Sequence, residues 1–228
     1  ARELPEAWPL CHAMSNALGL VHQALGRYDL AQACHEEALA KARLTGADPW
    51  GVAMVARASA QLAVDRGRFD AAREHAAIAI AAVQSLIDPH LSMRVLLLAE
   101  RLLHGLGRHA AAAQSSGTIA TARTRGMLIL PEDLKVHDEL SGYLRQTLGE
   151  SRYSDAAAVG ATQTVGEALA SAAEQVVSSD IGRRAQAPVV ETERARDELK
   201  VRALGSTEVT RDATPVLDGS GHLKCVEL

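Results

Sequence analysis

Aromatic side chains are nearly missing from this chain. They make up 3% of its 228 residues, although 47% are apolar, so Ala, Leu and Val supply most of the apolar surface. Strands draw on β-branched and aromatic residues, whereas Ala and Leu rank among the strongest helix formers. The balance predicts an α-rich fold. Long apolar runs are missing too. A membrane-spanning helix needs about 20 apolar residues, and the run from Val95 to Leu103 is short and broken by Glu100 and Arg101. No signal peptide opens the sequence, and Ala1 stands directly in helix-like text, which reads as a piece of a longer chain. The formal net charge of -4 argues against a strongly basic nucleic-acid surface. Three distant cysteines, Cys11, Cys34 and Cys225, form no disulfide framework and read as small apolar filler in a reducing, cytoplasmic setting.

Catalytic signatures are absent as well. Neither G-x-x-x-x-G-K nor G-x-G-x-x-G occurs, and no G-x-S-x-G elbow presents a serine. Cys34-His35 and His104/His109 lack the spacing that aims two metal ligands from one helix face. Glu36 and Glu37 are adjacent, so on a helix they diverge into solvent. The expectation is no catalytic residue, no cofactor and no metal, hence no enzyme in this chain.

What is present is a turn written three times: "LGRYDLA" from Leu25, "RGRFDAA" from Arg66 and "LGRHAAA" from Leu106. Around the first copy, Met14, Leu18, Val21 and Leu25 recur at helical spacing, as do Leu30, Ala33, Cys34, Ala38 and Leu39 after it. Both stretches read as amphipathic helices. Gly26, Gly67 and Gly107 are suited to the left-handed end of a helix. Asp29 and Asp70 are suited to capping the next one. Tyr28, Phe69 and His109 hold the aromatic place at the turns. Asp48-Pro49 and Asp88-Pro89 separate the hairpins. A helical hairpin repeated every 40 or 41 residues predicts an α-solenoid, in which stacked hairpins bury what one alone cannot.

These units resemble the tetratricopeptide repeat. Leu18-Gly19 match its Leu-Gly pair, and Ala31 and Ala38 its small positions on the second helix. Ala72 and Ala79 repeat them, with Ala60 in place of the glycine. In the third unit Ala112 remains and Ile119 replaces the alanine. The resemblance implies a protein or peptide partner held on the solenoid surface.

After residue 130 the text changes. Leu148, Gly149, Glu150, Tyr153, Ala156, Gly160, Thr164, Val165, Glu167 and Ala168 resemble the segment that closes the repeat array in large bacterial regulators of the LuxR and signal-transduction ATPase classes. Ala157 stands where that pattern has tryptophan, and Gly166 replaces an acidic residue. Independently of the resemblance, Thr164 and Glu167 have capping-box spacing, and Ala168, Leu169 and Ala172 form an apolar face. Residues 177–197 read as a linker. From 198, alternating Leu199, Val201 and Ala203 predict a strand, with turns at 205–206 and 211–214. This tail resembles the opening of the winged-helix domain of SARP-class regulators, without the helix that enters the major groove.

The sequence thus predicts an all-α TPR-like solenoid with a linker and a short β-rich C-terminal segment. The repeats span 1–130, with turns near 26–29, 67–70 and 107–110. A closing helical segment follows over 131–176, a linker over 177–197 and an incomplete winged-helix-like segment over 198–228. The resemblances imply the non-catalytic sensing region of a bacterial transcriptional regulator, reaching DNA only through a completed C-terminal domain and with no membrane contact. Two alternatives stand beside it: the scaffold of a signalling enzyme such as a nucleotide cyclase or kinase, and a plain interaction scaffold.

Overall fold

The computed structural model describes residues 8–44 and 49–177, with side chains from residue 12 onward, and the backbone alone of 199–204, 206–211 and 214–215. The first unit, Ala1–Ala187, is helical wherever it is described in regular structure. Its helices are α1 (Trp8–Ala24), α2 (Tyr28–Leu44), α3 (Pro49–Asp65), α4 (Phe69–Gln84), α5 (Pro89–Gly105), α6 (His109–Thr124), α7 (Pro131–Leu148), α8 (Glu150–Ala161) and α9 (Val165–Val177).

The three repeated turns are built alike. Gly26, Gly67 and Gly107 have φ of 70°, 67° and 75°. After each, the next backbone N–H reaches five residues back: Arg27 to the His22 carbonyl, Arg68 to Ala63 and Arg108 to Leu103, each at 2.8 Å. This is the Schellman closure that a left-handed glycine permits. The aspartates have a different place from the one their type suggests. Arg68 and Arg108 are the N-caps of α4 and α6. Asp29 and Asp70 lie inside the first turns of α2 and α4, where the helix dipole favours a carboxylate. Asp88, by contrast, does cap α5: its side chain accepts from the Leu91 N–H at 2.9 Å, with Pro89 following.

Hairpins α1/α2, α3/α4 and α5/α6 stack so that α2 meets α3 and α4 meets α5. The small positions carry this stacking: Ala31, Ala72, Ala112, Ala38, Ala79 and Ile119 have no exposed surface. Helices α3 and α5 are buried on most sides, and α5 sheathes itself with Leu91, Met93, Val95, Leu96, Leu98, Leu102 and Leu103. Each such side chain contributes roughly 1.5–3 kcal/mol on leaving water. Helix α1 behaves otherwise. From residue 12 onward its buried residues are His12, Asn16 and Gly19, while the apolar stripe Met14, Leu18, Val21 and Leu25 is exposed, and so is Leu30 at the start of α2. The stripe expected to face the core has no hairpin before it among the described residues.

The closing segment does not simply extend the stack. Helix α8 packs chiefly on α6, backbone against backbone. A Cβ on Gly117 would run into the Ala157 carbonyl, and one on Gly160 into the Gln114 carbonyl. Thr118 Oγ1 donates to the Gly160 carbonyl at 2.8 Å across this crossing. Helix α9 then doubles back over α4, α5 and α6, burying Ala168, Leu169, Ala172 and Val176. It runs through Val177, the residue expected to open the linker. Residues 178–198 lie outside the described residues.

Of the second unit, Pro188–Leu228, the described backbone forms three antiparallel strands in the order β1-β2-β3. They are β1 (Leu199–Leu204), β2 (Ser206–Arg211) and β3 (Thr214–Pro215), with Val201 opposite Val209 and Thr210 opposite Pro215.

Candidate functional site

Inside each hairpin the two helices meet at one repeated pair of positions. Seven residues before the turn glycines stand Gly19, Ala60 and Glu100; nine after them stand His35, Ala76 and Ser116. In the first hairpin a Cβ on Gly19 would lie 2.6 Å from the His35 ring, so the glycine makes room for the imidazole. In the second, two alanines suffice, both buried. In the third, the Ser116 hydroxyl donates to the Glu100 carboxylate. From α7, His137 Nδ1 lies 2.9 and 3.1 Å from the two carboxylate oxygens. The Ser141 hydroxyl lies 3.5 Å from that of Ser116. Glu100 is fully buried. A carboxylate can stay there only because donors converge on it. Burial opposes protonation of His137, yet the hydrogen bond and negative charge of Glu100 outweigh it and hold the imidazole above its ordinary value.

This constellation has the residue types of a hydrolase triad but not the order. Serine and histidine both address the carboxylate, so the histidine does not lie on the serine hydroxyl as it does in a triad, and all four groups are buried. It binds α5, α6 and α7 together.

A second polar cleft lies between the first two hairpins. It has a volume of about 30 Å³ and is lined by His35, Glu36, Ser59, Leu62, Arg66 and His75, among others. That is room for water and too little for an organic ligand, whose pockets run to about 300 Å³ or more. Burial, then the charges of Arg57 and His75, push His35 down to about 4. Burial lowers Arg57 to about 10 despite Asp133. Among the described residues no group of three His, Cys, Asp or Glu side chains is placed to hold a metal ion.

The surface carries its polar groups in ladders between repeats. Asp65, on the last turn of α3, accepts from Gln23 of α1 at 2.9 Å, from Gln61 of its own helix at 2.8 Å, and from Arg101 of α5 at 2.8 Å. One carboxylate thus spans three successive first helices. At the turns, Arg66 reaches back to Asp29 at 3.0 Å, and Arg68 donates to Gln32 at 2.7 Å.

The turn residues predicted from sequence divide by role. Gly26, Gly67 and Gly107 close helices. The first two aromatic positions bear on the following repeat, and the third on its own hairpin and α7. The Arg66 guanidinium lies 5.9 Å from the Tyr28 ring, the Phe69 ring fills the space beside Gly105, and His109 meets the His104 ring at a tilt and the Tyr143 ring edge-on. Asp29 and Asp70 serve the first turns as described. Of the turn arginines, Arg68 donates to Gln32 and Arg108 to the Gln175 carbonyl of α9. Sequence reasoning missed Arg73. In the repeat register it stands where Gln32 stands one hairpin earlier, and that change was the available signal. Instead of pairing with Arg108, Arg73 turns to α9 and donates to the Val176 and Val177 carbonyls at 2.8 and 3.1 Å. The other end of α9 has its capping box. Thr164 Oγ1 accepts from the Glu167 N–H at 3.2 Å, and the Glu167 carboxylate accepts from the Thr164 N–H at 2.7 Å.

Two stacked hairpins with small residues where their helices meet, and a glycine–aromatic turn in each, decide the repeat type. Residues 10–77 match the family of the tetratricopeptide repeat. The chain therefore carries a TPR region, the repeat of a protein-interaction scaffold. The match ends within α4, before the hairpin in which Glu100 takes the small position, His109 the aromatic one and Ile119 the alanine. No curated protein and no solved structure matches the chain. Among the described residues no helix is long and apolar enough to cross a membrane.

Proposed function

We propose that this chain is the partner-sensing TPR-like region of a bacterial transcriptional regulator, non-catalytic in itself. The observation that carries the reading is the stack of hairpins ordered across its first helices by the Asp65 ladder. Such a surface offers shape and spaced polar groups to a peptide or protein, with no activated nucleophile. The resemblance of residues 148–168 to the closing segment of large regulators, and of the tail to the opening of a winged-helix domain, supports the regulatory context.

Two experiments test it. A gene product that completes the C-terminal domain is expected to retard its own upstream DNA in an electrophoretic shift, with deletion of residues 14–125 changing the response to the partner. Retardation that is indifferent to that deletion contradicts the sensing role. For the 228-residue chain, a partner cross-linked to the first-helix surface is expected to be lost on Arg101→Glu. Retention at wild-type affinity places the partner elsewhere.

A further inference from the structure

Helix α1 has no Asp, Glu, Lys or Arg along its length, and it turns Met14, Leu18 and Val21 to solvent at 70%, 50% and 54% exposure. The repeat register says what such a face is for. Counted back from the turn glycines, these positions recur as Val55, Ser59 and Leu62 in α3, and as Val95, Ala99 and Leu102 in α5. All six of those residues are at most 7% exposed. In α3 the face meets α2: Ser59 and Leu62 share a cleft with Gln32, His35 and Glu36. Helix α5 is met by α4 in the same way. The apolar face of α1 is therefore the next copy of an interface already formed twice.

We propose that this face seats one more helical hairpin of the same kind, whose second helix lies across Met14, Leu18 and Val21 as α2 lies across Val55, Ser59 and Leu62. The occupant is defined by chemistry. It is an amphipathic helix with a small-residue seam, like Ala31, Ala38 and Ala42 of α2, carried by a TPR-type hairpin other than a second copy of this chain. An uncharged face offers nothing to steer an acidic or basic partner, and burial of apolar area supplies the association.

The test adds a hairpin in register. Pro89 opens α5 eighteen residues before Gly107, and Trp8 stands eighteen residues before Gly26. A copy of residues 49–88 fused directly ahead of Trp8 thus reproduces the junction between α4 and α5. Sulfoxide formation by dilute peroxide, which follows exposure, is then measured at Met14, with buried Met93 as the slow reference. In the 228-residue chain Met14 is expected to oxidise fast at every protein concentration. In the extended chain it is expected to slow about tenfold. Leu18→Glu with Val21→Glu is expected to leave the thermal midpoint of the 228-residue chain unchanged, because both residues are exposed, and to restore fast oxidation in the extended chain. A folded extension that leaves Met14 as reactive as before overturns the proposal. So does protection that appears in the 228-residue chain as its concentration rises, because a second copy then occupies the face.

Discussion

Glu100 sits where the two preceding repeats have Gly19 and Ala60, and its charge is tolerable because Ser116 and His137 face it. Removing one member of a buried ionic cluster strands the others. Glu100→Ala is expected to cost about 3 kcal/mol in urea unfolding. The triple change Glu100→Ala, Ser116→Ala, His137→Leu, which restores the alanine pairing of the second hairpin, is expected to recover most of that loss. Equal losses for the single and triple variants would mean that the cluster is not a unit. The histidines also set opposite pH responses. Because Glu100 raises His137, its contribution is fully present below about pH 6.5 and fades as pH rises through its folded value. His35 is depressed to about 4, so its contribution is present above about pH 6.5 and fades as pH falls toward 4. His75, His104 and His109 are lowered as well, by burial first. The balance predicts lower stability at pH 5 than at pH 7. His35→Asn is expected to remove about 2 kcal/mol of that difference, read from denaturation midpoints at the two pH values.

Elements are joined here by two devices that sequence patterns express unequally. The turns were legible, since a glycine with an aromatic two residues on announces a helix end and a packing contact together. So was the capping box of α9, because Thr164 and Glu167 are three residues apart. The crossing of α6 and α8 was not legible. Gly117 and Gly160 look like helix-weakening residues in isolation, and only the approach of two backbones gives them a reason. Gly160→Ala is expected to cost about 3 kcal/mol, at the upper end of overpacking, and to release α8, detected as loss of the Thr118 contact and fast exchange over 150–161. The clasp on α9 is the second device. Arg73 and Arg108 place two positive charges on the carbonyl end of the helix, where its dipole is negative. Arg73→Ala and Arg108→Ala are each expected to lower stability by about 1–2 kcal/mol, measured by chemical unfolding.

At the scale of the whole helical unit, the stripe of α1 is the instructive failure. Met14, Leu18, Val21 and Leu25 have the period of a core face, and periodicity says which side of a helix is apolar, not what covers it. The same positions in α3 and α5 are buried because a hairpin precedes them. Likewise, the apolar face of α9 was visible in Ala168, Leu169 and Ala172, but its seat over α4, α5 and α6 was not: the one local signal, Arg73 where the preceding hairpin has Gln32, gains meaning only in the repeat register. The central claim is that three hairpins and the returning α9 form one cooperative scaffold. Amide hydrogen exchange of the 228-residue chain tests it most directly. The slowest amides of α9 are expected to exchange at the rate of those in α5, through a single global opening. Exchange of α9 a hundredfold or more faster, with α5 still protected, would contradict the claim.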